Sequence, residues 1–128
     1  MNKHLGFTLI ELVMVIVIIG VLSVVALPKY IDLKGDAQQA GIRAVAGALT
    51  SASSVNYVAR MANASAGVAV TNCTHSAAAL QSGALPTGAS VTYTITAVAV
   101  AANATVSCTL TDSAATPNTA AFTAVGIL

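Results

Sequence analysis

Charge is scarce in this chain. Lys, Arg, Asp and Glu make up 7% of its 128 residues, against roughly 25% in ordinary soluble domains. An ordinary soluble cytoplasmic protein is thereby excluded. Eight of the nine charged residues lie at or before Arg60, and Asp112 alone follows. A segment with one carboxylate offers no multi-carboxylate calcium site. Tryptophan is absent, and the aromatics are Phe7, Tyr30, Tyr57, Tyr93 and Phe122. They are too widely separated for the closely spaced aromatics that electron conduction needs, and core packing explains each one better. With only two histidines and two cysteines, a metal centre also lacks donors, because His75 beside Cys73 is too little. No Ser/His/Asp set and no phosphate-binding loop occurs, so neither an enzyme nor a cofactor is expected. Without a leader carrying Lys3, four basic and four acidic side chains remain. A neutral chain gives no electrostatic case for nucleic acid. The length allows one domain at most.

What the chain does have is a long apolar run near its start. A short basic leader, Met1-Asn-Lys-His-Leu-Gly6, precedes Phe7-Thr-Leu-Ile-Glu11, and Leu12–Leu27 then runs for sixteen residues without a charge. The twenty-one residues from Phe7 to Leu27 would extend about 32 Å as a helix, enough to cross a hydrocarbon core of roughly 30 Å. Lys3, with His4, favours keeping the amino end in the cytoplasm. The run is longer than the apolar core of a secretory signal, and Ala26-Leu27-Pro28 is no small-x-small cleavage site. A plain signal anchor would leave the Gly6-Phe7 junction and Glu11 unexplained. A lone carboxylate in hydrocarbon is protonated or costs several kcal/mol, so Glu11 is read as functional.

Gly6-Phe7-Thr8-Leu9-Ile10-Glu11 resembles the cleavage motif of type IV prepilins. The resemblance implies that a membrane peptidase cuts between Gly6 and Phe7 and methylates the new amino terminus, leaving N-methylphenylalanine at Phe7 and Glu11 as the fifth mature residue. Ala26-Leu-Pro-Lys-Tyr-Ile-Asp-Leu-Lys-Gly-Asp-Ala37 is similar to the same stretch of pilins of the mannose-sensitive haemagglutinin type. About the first 60 residues are covered. The implied fold is α+β, a long amino-terminal helix with an apolar, membrane-spanning first half, packed on a small antiparallel sheet. The implied function is that of a major pilin, a subunit polymerising into a helical filament for adhesion, motility or DNA uptake. Its implied partners are further copies of itself, the prepilin peptidase and methylase, the inner membrane and the pilus assembly machinery. The implied route leads from the inner membrane to an extracellular pilus. A pseudopilin of a type II secretion system shares the motif and is the rival reading, with a minor pilin beside it; the lack of a calcium site and the cysteine pair favour a pilin. Glu11 would pair with the Phe7 ammonium, either within one subunit or with that of a neighbour, where it would set axial register as a buried polar residue does in a coiled coil.

The expected organisation is a leader (1–6), a membrane or filament-core half-helix (7–28), an amphipathic half-helix (29–62), a connecting region (63–90) and a sheet region (91–128). Gly20 and Pro28 lower helix stability between them. The resemblance makes that stretch a candidate for a compliant segment, and Ser23 can bond back to a carbonyl there. Lys29, Asp32, Lys34 and Asp36 form a solvated face. Ile42, Val45, Leu49 and Ala52, continued weakly by Asn56 and Ala59, make a narrow apolar stripe ending near Met61, with Gly67 as terminator. Ser76–Gln81 reads as a short helix. Val91–Val100 alternates with period two in its first half, so Val91, Tyr93 and Ile95 share a face. Thr105–Leu110 and Ala120–Val125 are further strands, with a turn at Ala101–Ala104 and a loop at Asp112–Asn118 that Pro117 keeps out of the sheet. Val106, Cys108 and Leu110 share the core face. Cys73 and Cys108, in the part expected outside the cytoplasm, read as a disulfide, with two buried free thiols as the alternative. The pair either encloses a carboxy-terminal loop region or staples the helix-to-sheet connection to a strand. The sequons at Asn63, Asn72 and Asn103 read as accidental.

Overall fold

The computed structural model describes residues 6–88 and 90–128, with side chains except at Ile31 and Asp32. Lys3 and His4 of the leader lie outside the described residues, as does the side chain of Asp32. Helix α1 is Leu9–Ala62, a 3₁₀ helix spans Cys73–Ala79, and the strands are β1 (Tyr93–Ile95), β2 (Thr105–Asp112) and β3 (Thr119–Val125). The chain divides into two units, one ending at Asp36 and one running Ala37–Leu128.

In the first unit α1 is helical through both Gly20 and Pro28. Every described side chain from Phe7 to Asp36 is exposed, Lys29, Lys34 and Asp36 among them. The stretch Leu12–Leu27 is apolar all round and buries no side chain among the described residues; such a surface belongs in hydrocarbon or among other apolar helices. Ser23 Oγ donates to the Ile19 carbonyl at 2.7 Å, the back-bond expected for this stretch.

The second unit is a helix on a sheet. Strand order is β1-β2-β3, all antiparallel. Ile42, Ala46, Leu49, Cys73, Val100, Cys108, Leu110, Phe122 and Ala124 form the core. Full burial of side chains the size of Ile42 or Leu110 contributes about 1.5–3 kcal/mol each. The expected stripe is rotated on the helix. Ile42, Leu49 and Asn56 are buried as expected, but Val45, Ala52 and Ala59 are only half-buried, and Ala46 and Ser53 join the buried line instead. Polarity at Ser53 hid that line, yet Ser53 and Asn56 are both buried because they satisfy main chain. Val125 N donates to Ser53 Oγ at 2.8 Å. Asn56 Nδ2 donates to the Val68 carbonyl at 2.8 Å, and Val68 N donates to Asn56 Oδ1 at 2.7 Å.

Helix α1 ends at Ala62, at the expected boundary, but Gly67 is not its terminator. Gly67 lies in the chain beyond it at φ +74, its Cα against Asn56 Oδ1 with no room for a Cβ. Its left-handed backbone favours glycine, so it shapes the return path instead of capping the helix. The 3₁₀ helix starts earlier than the short helix expected at Ser76–Gln81, because Asn72 caps it. Thr74 N and Thr74 Oγ1 both donate to Asn72 Oδ1, at 3.1 and 3.0 Å.

Strand β1 alternates as expected, with Val91, Tyr93 and Ile95 half-buried and the intervening threonines exposed. It is only three residues long. The rest of the expected strand leaves β2 and meets the connection: Cys73 N donates to the Val98 carbonyl and Val100 N to the Thr71 carbonyl, each at 2.9 Å. β2 and β3 form at the expected places, with Cys108 and Leu110 buried on the core face. In the turn at Ala101–Ala104, Asn103 has φ 58, which Asn tolerates better than most residues. Gly126 packs its Cα on the Ala101 carbonyl, leaving no space for a side chain.

Cys73 and Cys108 are joined as a disulfide with Cα atoms 5.8 Å apart, and both are fully buried. Cys73 opens the 3₁₀ helix and Cys108 sits in the central strand. The bond therefore staples the helix-to-sheet connection to a strand, the second of the two placements left open by sequence. A loop of this length corresponds to about 3–4 kcal/mol in the chain-entropy account.

Candidate functional site

The start of α1 is built by Thr8 and Glu11. Leu9 is the first helical residue, which makes Thr8 the N-cap and Glu11 the third helical position. Thr8 N and Thr8 Oγ1 each donate to Glu11 Oε2 at 2.8 Å, and Glu11 N donates back to Thr8 Oγ1 at 3.3 Å. This is a capping box, in which two otherwise orphaned amides are satisfied reciprocally. A carboxylate in the first helical turn also meets the positive end of the helix dipole.

The sequence reading gave Glu11 a single task, pairing with an ammonium at Phe7. It missed Thr8. The signal was present, since Thr8-Leu-Ile-Glu11 ahead of an apolar run is the S/T-x-x-E pattern itself. Both hydrogen-bonding partners lie after the Gly6-Phe7 peptide bond, so scission there leaves the cap whole. Only Oε2 takes part in the cap. Gly6 and Phe7 precede the helix in non-helical chain. Phe7 is 81% exposed.

Away from the helix start, Asp112 is a buried carboxylate that sequence reasoning placed only in a loop. Its Oδ1 accepts from Asn118 N at 2.8 Å and Ala114 N at 3.2 Å, and its Oδ2 accepts from Asn118 Nδ2 at 2.9 Å. The Asn118 side chain, then the Asn118 and Ala114 amides, hold the carboxyl below its ordinary value of 3.8, against the opposing effect of burial. It locks the β2–β3 loop. The three sequon asparagines also have local structural tasks. Asn72 caps the 3₁₀ helix, Asn103 makes the turn, and Asn63 Oδ1 accepts from Ser65 N at 3.0 Å after α1.

Residues 1–27 match the family model of the prokaryotic N-terminal methylation motif. Beyond that motif, the amino-terminal half of the chain is similar to pilus subunits. One relative is the "Type IV narrow pilus major component PilA5" of Thermus thermophilus. It is 51% identical over 53 residues, 41% of this chain and 46% of that protein. Another is a "Fimbrial protein" of Moraxella nonliquefaciens, 46% identical over 56 residues, 44% of this chain and 36% of that protein. The chain thus matches less than half the length of either relative. No solved structure matches it. Neither relative is named as a haemagglutinin-type pilin.

Proposed function

We propose that this chain is the major structural subunit of a type IV pilus. One observation carries the reading: a helix whose first half is apolar on every side and exposed at every described side chain opens with a capped carboxylate inside a matched N-terminal methylation motif. Such a helix demands a lipid or protein environment that a single chain does not supply. In this reading it sits in the inner membrane first and in the filament core afterwards. The peptidase cuts between Gly6 and Phe7, and Phe7 is N-methylated. Glu11 keeps its cap through Oε2 and turns Oε1 towards the ammonium of a neighbouring subunit, fixing axial register. Gly20 to Pro28 is the compliant stretch, and the unit from Ala37 onward faces water. The fibre serves adhesion, motility or DNA uptake.

Electron microscopy of cells with and without the gene tests the reading. A thin surface fibre should vanish on deletion and return on complementation. A secretion defect with surface fibres unchanged would favour a pseudopilin instead. Two substitutions separate the tasks of Glu11. Gln at this position still completes a capping box but carries no charge. Glu11→Gln and Glu11→Ala should both lower fibre yield if register rests on the ion pair. Full yield from Glu11→Gln would reduce Glu11 to a helix cap.

A further inference from the structure

Strand β3 forms an edge of the sheet, and its outward amides are covered unevenly. In the β2–β3 ladder Asp112 N donates to the Asn118 carbonyl and Gly126 N to the Ala104 carbonyl. The register pairs Leu110 with Ala120 and Cys108 with Phe122. Antiparallel alternation therefore points the even-numbered amides at β2 and those of Thr119, Ala121, Thr123 and Val125 away from it. Helix α1 covers two of these. Val125 N donates to Ser53 Oγ at 2.8 Å and Thr123 N to Thr50 Oγ1 at 3.1 Å. One turn further back along α1 stand Ala46 and Gly47, which have no hydroxyl to offer. Among the described residues no acceptor meets the amides of Thr119 and Ala121. Both residues are exposed, while Thr123 and Val125 are half-buried.

The uncovered end opens into a groove of about 400 Å³ between α1 and β3, lined by Gln39, Arg43, Gly47, Thr50, Thr119 and Ala121 among others. The Arg43 guanidinium makes no hydrogen bond among the described residues, unlike that of Arg60, which donates to the carbonyls of Ala66, Gly67 and Leu128. An exposed edge with unpaired main-chain groups is a template for another strand. Here the template carries a cation, so it selects an occupant with a carboxylate.

We propose that this groove docks an extended, acid-bearing segment of another polypeptide, which adds main-chain hydrogen bonds beside Thr119 and Ala121 and places its carboxylate on Arg43. A second copy of this chain does not fit that description. Glu11 is held in the helix cap and Asp112 in the loop lock. Asp32 and Asp36 are part of α1 and cannot present extended main chain. The inference is independent of the pilus reading.

The test uses the whole chain purified in detergent and a fluorescent peptide that alternates Thr and Val around a central Asp. Fluorescence anisotropy should show saturable binding. Replacing the central Asp by Lys should weaken it at least about tenfold, and Arg43→Glu should reverse that preference. Gly47→Leu should abolish binding with folding intact, because a Cβ at Gly47 meets nothing within 4 Å and the added side chain fills the groove. Ala121→Pro should also abolish it, since proline at an outward-facing edge position removes the donor and spares the ladder. Equal binding of the Asp and Lys peptides, binding unchanged in Arg43→Glu and Gly47→Leu, or no binding by either peptide would overturn the proposal. Competition by unlabelled chain would overturn it too, by making a second copy the occupant.

Discussion

Asn56→Ala should destabilise the unit from Ala37 to Leu128 more than any surface change on the same helix. Asn56 is 6% exposed and makes two hydrogen bonds to one residue, donating to the Val68 carbonyl at 2.8 Å and accepting from its amide at 2.7 Å. Those bonds return the chain to the helix after the turn at Gly67. Each is worth about 1 kcal/mol net, and stranding a buried partner adds about 1–3 kcal/mol. Val68 keeps some access to water, which trims the second contribution, so a total of about 2–4 kcal/mol is expected. For a unit of this size that lowers Tm by at least about 8 °C. The assay is thermal unfolding of the detergent-solubilised chain followed by circular dichroism at a strand-sensitive wavelength, with exposed Ser54→Ala as control. Asn56→Asp keeps the acceptor for the Val68 amide and sets a carboxylate against its carbonyl, so it should rescue little. A Tm within about 2 °C of the parent for Asn56→Ala would refute the clamp.

Replacing Cys73 and Cys108 by Ser together, or reducing the bond, should lower unfolding stability by about 3–4 kcal/mol, read from urea midpoints. Gly126→Ala drives a Cβ into the Ala101 carbonyl and should cost at least about 1–3 kcal/mol, whereas Gly47→Ala, into open space, should be neutral or stabilise α1 by up to about 1 kcal/mol; melting curves of the two variants compare them directly. Asp112 gives stability a pH dependence of known sign. Its folded carboxyl titrates below the ordinary 3.8, so in acid the unfolded chain binds more protons. Its contribution is fully present above that ordinary value and is lost as pH falls through the lowered one. Urea midpoints measured across the acid range should show this limb, and Asp112→Asn should flatten it.

The strands were legible because period-two alternation records which face is buried, and Tyr93, Ile95, Cys108 and Leu110 sit where that pattern puts them. The membrane-length helix was legible from hydropathy alone. The polar residues that hold the fold together were not. Asn56 read as a weak continuation of an apolar stripe and Ser53 lay outside it, although the burial of both follows from the backbone groups they satisfy, and those groups belong to residues further along the chain. Asp112 shares that obscurity, since a carboxylate in a loop says nothing by itself about Asn118. The short β1 was hidden for a related reason. Val98 and Val100 alternate as a strand does, but their partners lie in the connection at Thr71 and Cys73, a pairing that periodicity does not name. At the helix start the position was reversed. The pattern Thr8-x-x-Glu11 was readable, but the Phe7 ammonium stood as the expected partner of Glu11 and Thr8 did not.

The central claim is that the chain is cut after Gly6, methylated at Phe7 and built into a fibre. Mass spectrometry of the subunit from sheared, purified surface fibres tests it most directly. The account predicts a polypeptide starting at Phe7 with one methyl group on its amino nitrogen and the Cys73–Cys108 disulfide intact. Fibres whose subunit retains residues 1–6, or fibres from which this chain is missing, would contradict it.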